Sequence, residues 1–197
     1  MSQELLRSLV WMDYRLALVF TVIVPLVLSV WVFVRQLNSM QRLLIIYWRV
    51  ASLLAITVYL LIASLPIGFI TSLMARILIP ISLWFWVDLN EEIDEQSPGL
   101  LKLMLTSWRW AVSAYCVLGA IATLPFLQCA LSAEALNQPF CQVWQDPPFL
   151  FKEYFHHNLT PPFLGFLGIV ALIIYLLYLG HFVFIRLSKQ GRTAMEQ

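Results

Sequence analysis

Long apolar runs separated by short polar stretches make up most of the chain. Each run approaches the roughly 20 residues that an α-helix needs to cross about 30 Å of hydrocarbon. The runs predict five membrane-spanning helices, at residues 16–34, 43–64, 67–87, 108–127 and 163–185. In the motif "LPIG", Pro66 and Gly68 predict a tight turn between the second and third helices. The predicted fold is therefore all-α, a polytopic membrane helix bundle that forms a single membrane domain over residues 1–197.

The segment before the first span, "MSQELLRSLVWMDYR", mixes apolar and polar residues in a helical pattern. Its apolar residues come close to one helical face, and they are Leu5, Leu6, Leu9, Val10 and Met12. Such a segment is either a short helix lying in the headgroup plane or an extension of the first span. Glu4 and Asp13 stand where a secretory leader would be basic, so we expect no cleavable signal peptide.

Composition places the chain in lipid rather than in water. Hydrophobic residues make up 61% of it and charged residues 12%, and the mean hydropathy is +0.82. These values lie far outside the range of soluble globular domains. We expect its partners to be membrane lipid and other integral membrane proteins, and no nucleic acid.

The basic residues near the span ends predict the orientation, because cationic loops stay on the cytoplasmic side. One side collects Arg35, Arg42, Lys102, Arg109, Arg186, Lys189 and Arg192, with Arg49 close by. The other side has only Arg7, Arg15 and Lys152. With an odd number of spans, this imbalance predicts an exoplasmic, or lumenal, N-terminus and a cytoplasmic C-terminus.

The cysteines bear on the same question, because disulfides persist in oxidising compartments. Cys129 and Cys141 fall in the loop 128–162, which the charge count places outside. They are either a disulfide pair or two free thiols, and the agreement about the compartment favours the disulfide. The same loop is rich in proline and aromatic residues, which predicts a structured exoplasmic cap. Cys116, within the fourth span, is expected to be a small buried hydrophobe.

Arg76 stands inside the apolar run of the third span. It lies nine residues from the start of that span, or about 13 Å at 1.5 Å per residue, which is near the midplane. A charge there is costly unless it is paired. No acid in the predicted spans reaches that depth. The guanidinium is therefore expected to use hydroxyls, backbone carbonyls, water, a lipid or cofactor oxygen, or an acid of another protein.

Two further polar residues lie near the opposite end of the bundle. Counting from the turn places Arg49 close to Asp88, which predicts an ion pair between them. His181 lies at a similar depth in the fifth span. It either completes this polar cluster, ligates a chlorophyll or haem, or is a hydrogen-bonded packing residue.

An acidic face follows the third span. If that helix continues, Asp88, Glu91, Glu92 and Glu95 share one side of it. These carboxylates require a cationic counterpart, such as Mg²⁺, a basic residue of the chain or a basic partner segment, unless they form a solvated loop. Mg²⁺ would suit diphosphate chemistry, but that chemistry usually needs a second acidic cluster. His156 and His157 are adjacent and diverge, so we predict no metal ligands. The serines and histidines form no nucleophile motif, so we predict no catalytic residues.

Four segments resemble a known family: "LRSLVWMDYRLA", "RLLIIYWRVASLLAITVYL", "ARILIPISLWFWVDLNEEID" and "SWRWAVSAYC". They are similar to an uncharacterised family of small multipass membrane proteins from cyanobacteria, a domain of unknown function. This resemblance implies a thylakoid membrane. It also implies a non-enzymatic accessory or assembly factor of a photosynthetic pigment–protein complex, with photosystem II subunits as the candidate partners. The cofactor stays open, with chlorophyll and carotenoid as the candidates. The alternatives are a Mg²⁺-dependent membrane enzyme acting on a diphosphate or lipid, or a small carrier.

Overall fold

The computed structural model describes residues 3–132 and 134–187, and every regular element in those two stretches is helical. Five helices in this part of the chain are long and apolar enough to cross a membrane, as predicted. They are Gln3–Arg35, Asn38–Ile62, Ile67–Trp84, Leu100–Ala130 and Pro161–Phe184. The basic residues Lys189 and Arg192 of the charge count lie outside the described residues.

The first membrane helix begins well before the predicted residue 16. Helix α1 (Gln3–Ala17) passes through a π-helical segment, Leu18–Ile23, into α2 (Val24–Arg35) without a break. Leu6 and Val10 are buried in a core cluster that includes Leu61 and Phe69. The N-terminal segment is therefore an extension of the first span that packs within the bundle, and the interpretation as a separate interfacial helix is wrong.

The π-helical segment has an identifiable cause in Pro25, the second residue of α2. Proline lacks a backbone N–H, so the carbonyl of Thr21 cannot accept the usual helical hydrogen bond from residue 25. The hydroxyl of Tyr47 donates to that carbonyl at 2.7 Å, and the indole N–H of Trp108 donates to the carbonyl of Phe20 at 2.8 Å. Neighbouring helices thus satisfy backbone groups that the irregular helix leaves open.

Helices α3 (Asn38–Ile62) and α4 (Ile67–Trp84) form the predicted hairpin, but its turn differs from the prediction. Ser64 has φ 52°, so it, rather than Gly68, takes the left-handed conformation. Gly68 lies inside α4, where a Cβ atom would come within 2.8 Å of the Leu61 side chain. Glycine is needed there for close packing of the two helices rather than for the turn.

The third span does not continue into the acidic segment. Helix α4 ends at Trp84, Trp86 is extended (φ −85°, ψ 104°), and a separate helix α5 (Val87–Glu95) follows. Trp86, Leu89 and Ile93 are buried in the main core. Helix α5 is therefore amphipathic and packs its apolar side against the bundle. The acids lie on this separate helix and not on a continuation of the third span.

Two further helices complete the membrane bundle. Helix α6 (Leu100–Thr123) starts earlier than the predicted residue 108. The last spanning helix follows the cap. The bundle end that carries the 63–66 turn is called the cap end below, and the end that carries α5 is called the acidic end.

The cap consists of short helices between Leu124 and Phe155. They include α7 (Pro139–Gln142) and α8 (Asp146–Phe155), with 3₁₀ turns before and between them. Cys129 and Cys141 are paired at disulfide distance with their Cα atoms 5.8 Å apart, which confirms the predicted pairing. The rings of Phe126 and Phe140 stack at 4.4 Å beside this disulfide. Cys116 is a free, buried thiol, as predicted.

Helix α9 (Pro161–His181) continues into a π-helical segment at 182–187. It packs closely on α3 through two small residues. A Cβ atom at Gly165 would collide with Ala63, and one at Gly168 would come within 3.2 Å of Tyr59 and Leu60. Small residues allow this close helix contact, which is the main source of helix association in lipid.

Candidate functional site

Arg76 is paired with an acid of the same chain. Its Nη2 atom lies 2.5 Å from Oδ2 of Asp13 on α1. Arg76 is 6% exposed, so the pair lies inside the bundle. The prediction that no acid in the spans reaches the depth of Arg76 is wrong, because the first spanning helix begins at Gln3 and carries Asp13 to Arg76.

A third residue, Tyr115 of α6, completes this cluster. Its hydroxyl donates to Oδ1 of Asp13 at 2.9 Å and also lies 3.1 Å from the Asp13 carbonyl oxygen. The guanidinium carbon of Arg76 stands 5.9 Å from the centre of the Tyr115 ring. Both carboxylate oxygens of Asp13 are therefore engaged, one by a cation and one by a hydroxyl.

Gly119, one turn beyond Tyr115 on α6, makes room for the arginine. A Cβ atom at this position would collide with Nη1 of Arg76. The same Nη1 atom is buried and makes no hydrogen bond within the described residues. The cluster thus links α1, α4 and α6 through a neutralised ion pair. Its geometry indicates that it holds these helices together rather than transfers a proton.

A cavity of about 520 Å³ adjoins this cluster, between α1, α3, α4 and the cap. Asp13 and Arg76 form part of its wall, and the rest is mostly apolar, with Ala55 and Val58 from α3 and Phe151 from the cap. Trp144 of the cap also lines it and has a buried indole N–H with no partner among the described residues. The cavity can receive an apolar group, such as a ring or a chain, beside a polar wall.

The two adjacent histidines have different surroundings. Nε2 of His156 lies 2.8 Å from the hydroxyl of Tyr59, while His157 is exposed. Across residues 3–132 and 134–187, no three His, Cys, Asp or Glu side chains are grouped to hold a metal ion. The contact of His156 therefore serves to hold the cap on α3.

Arg109 is buried, although the charge count placed it among the flanking cations. It is 2% exposed and donates from Nη2 to the carbonyl of Leu83 at 2.8 Å and to Oδ1 of Asn90 at 2.5 Å. Its guanidinium stands 4.1 Å from the Trp84 ring centre. A cation at the last carbonyls of α4 is favourable because the helix dipole is negative there. Arg109 thus stabilises the break between α4 and α5.

At the acidic end, Arg49 contacts the last spanning helix. Nη1 of Arg49 donates to the hydroxyl of Tyr178 at 3.1 Å. The Arg49–Asp88 ion pair stays a prediction. His181 is exposed at the end of α9. It does not contribute to the groove that Arg49 and Tyr178 line.

The acidic face also differs from its predicted setting. Asp88 lies in the first turn of α5, where the helix dipole favours a negative charge. Glu91 and Glu95 are exposed, and one carboxylate oxygen of Glu92 is buried without a hydrogen bond. Lys102 donates to the carbonyls of Asp94 and Gln96 at the end of α5 rather than to these carboxylates. Because α5 is helical from Val87 to Glu95, the four acids share one side of this short helix, away from the buried Leu89 and Ile93.

Comparison with known proteins identifies one family. Residues 7–195 match the family described as "Protein of unknown function (DUF3177)". No curated protein and no solved structure matches the chain significantly. Because the match covers nearly the whole chain, this protein belongs to the DUF3177 family of proteins of unknown function.

Proposed function

We propose that this protein is a non-enzymatic accessory or assembly factor that binds another integral membrane protein. The observation that carries the proposal is the cavity of about 520 Å³ between α1, α3, α4 and the cap. Asp13 and Arg76 in its wall are engaged with each other, and the remaining wall is mostly apolar. Such a site favours the insertion of an apolar group over bond-making chemistry.

The cap supports the same proposal because it is fastened to the bundle. Arg7 contacts Asp146 at 3.0 Å, and Ser64 donates to Gln145 at 2.9 Å. On this cap, Tyr154 is 77% exposed and Phe155 is 71% exposed. Aromatic side chains on a fixed support are typical of surfaces that contact a partner or the membrane interface.

The setting of this partner follows from the charge distribution and from the resemblance. An N-terminus and cap on the exoplasmic or lumenal side agree with the excess of basic residues at the acidic end and with the disulfide of the cap. The similarity to small cyanobacterial membrane proteins favours the thylakoid membrane. The partner to test is therefore a pigment–protein complex, beginning with photosystem II. The apolar group that enters the cavity would then be chlorophyll or carotenoid.

Affinity purification in a mild detergent tests this function. We expect the tagged chain to retain a stoichiometric membrane-protein partner, identified by mass spectrometry, and any pigment to appear in the absorption spectrum. Ala55→Phe narrows the cavity and should reduce recovery of the partner about tenfold, equivalent to about 1.4 kcal/mol. Ile174→Phe adds the same ring on the exposed face of α9, outside this cavity, and should leave recovery unchanged.

Comparing the two variants distinguishes specific binding at the cavity from non-specific co-purification in detergent. Equal recovery with Ala55→Phe and Ile174→Phe would show that the cavity takes no part in binding. A chain that purifies alone, with neither a partner nor pigment, would contradict the accessory function itself.

A further inference from the structure

A second cavity opens at the acidic end, between α3, α4 and α9. It has a volume of about 340 Å³ and forms a groove along the outside of the bundle. Its walls are apolar, with Ile46 from α3, Leu78 and Ile81 from α4, and Leu179 and Phe182 from the last helix. Nothing in this groove is shared with the cavity beside Asp13 and Arg76.

Polar groups stand within this apolar groove. Arg42 and Arg49 are two turns apart on α3, about 10 Å along the helix, and both line the groove. Arg49 is exposed and donates to the hydroxyl of Tyr178, a neutral partner, at 3.1 Å. It lies about 16 Å along α3 from Asn38. A guanidinium at such a place within a spanning helix is costly unless an anion or water reaches it.

Tyr175 supplies an independent sign of a ligand. This residue of α9 lines the same groove and is only 7% exposed. Its hydroxyl is buried and has no hydrogen-bond partner within the described residues. A buried hydroxyl normally has a partner, and the described residues provide none, so this one indicates an additional hydrogen-bonding group.

We propose that this groove binds one anionic lipid through its phosphate headgroup. Arg49 contacts the phosphate, with Arg42 lining the same groove, and the hydroxyl of Tyr178 stays beside it. The side chain of Tyr175 turns toward the groove, so that its hydroxyl donates to an oxygen of the glycerol or ester region. An acyl chain lies along Ile46, Ile81 and Phe182. Guanidinium groups recognise phosphate by charge and by paired hydrogen bonds, and basic pockets between membrane helices are suited to anionic headgroups.

Lipid binding can be measured by native mass spectrometry of the full chain released from detergent. Phosphatidylglycerol and phosphatidylcholine are added in parallel, and both carry a phosphodiester, but only the first has a net negative charge. We expect a one-to-one complex with phosphatidylglycerol at an affinity at least tenfold higher than with phosphatidylcholine. Equal affinities would overturn the proposal.

Matched arginine variants locate the site. Arg49→Gln should lower the affinity for phosphatidylglycerol about tenfold. Arg35→Gln removes the same charge from an exposed position at the end of α2, outside the groove, and should leave the affinity unchanged. Equal losses in the two variants would show general attraction to a basic surface and would overturn a lipid site in the groove.

Two further measurements keep the proposal testable if Arg49→Gln fails to fold. Ile81→Trp retains both arginines but blocks the apolar wall, and it should also lose the lipid. Inorganic phosphate, added as a competitor in tenfold excess, should not displace the lipid, because it lacks the acyl chain. Retention of lipid by Ile81→Trp, or full displacement by phosphate, would contradict a site that recognises a whole lipid. None of these readouts depends on the protein partner, so the two proposals succeed or fail separately.

Discussion

Two arginines within the spans of this protein have opposite surroundings. Arg76 is enclosed by α1, α4 and α6, and its charge is neutralised by Asp13. Arg49 lies on the open wall of a groove, and its hydrogen-bond partner is the neutral hydroxyl of Tyr178. A buried, paired charge holds helices together, whereas a charge that faces an open groove can recognise an anion. The comparison shows that the role of an intramembrane arginine depends on what packs around it rather than on its depth.

The largest expected effect comes from breaking the enclosed pair. Asp13→Leu leaves the buried guanidinium of Arg76 without its counter-ion and should lower the free energy of unfolding by about 3–5 kcal/mol. The double variant Asp13→Leu with Arg76→Met removes both charges and should recover most of that loss. Unfolding in mixed detergent, followed by circular dichroism, measures both. A double variant that is less stable than Asp13→Leu alone would contradict a pair whose main effect is mutual neutralisation.

Removing one tyrosine hydroxyl should lower stability more beside the enclosed Arg76 than beside the exposed Arg49. Tyr115→Phe removes a hydrogen bond to the carboxylate of Asp13, and it should cost about 1.5–3 kcal/mol because the acceptor is charged. Tyr178→Phe removes a bond to Arg49, which is also charged, but Arg49 is exposed and water can replace the lost partner, so the cost should be only about 0.5 kcal/mol. The same unfolding measurement compares them. Equal costs would show that enclosure does not distinguish the two sites.

A further prediction, with an expected effect smaller than that of breaking the ion pair, concerns the space around Arg76. Gly119→Ala places a Cβ atom against the guanidinium, which Asp13 holds in position, and should destabilise the protein by about 1–3 kcal/mol. Gly180→Ala is the matched control, because nothing lies within 4 Å of a Cβ atom there. It should be neutral or stabilise α9 by up to about 1 kcal/mol. A Gly119→Ala protein as stable as the control would mean that Arg76 moves aside without loss of its ion pair.

Several features of the site were readable from the sequence, and two were missed although a signal was present. Asp13 follows Leu6 and Val10 at helical spacing, so it belongs to the stripe that faces the bundle once α1 is part of the first span. Arg109 lies between Leu105 and Val112 on the buried stripe of α6. In both cases the charge of the residue suggested a surface position. Its place in the apolar pattern indicated burial.

The sequence by itself determined the five spans, and it favoured the disulfide over two free thiols. A helix must cover about 30 Å of hydrocarbon with apolar residues, so each span appears as one continuous apolar run that can be recognised without the rest of the chain. The pairing of Asp13 with Arg76 joins residues 63 positions apart, and that of Arg49 with Tyr178 joins residues 129 positions apart. Such contacts depend on how each helix is rotated and displaced along its neighbours. Only the tertiary structure decided them, because packing of small and large side chains across helices selects one rotation and one depth.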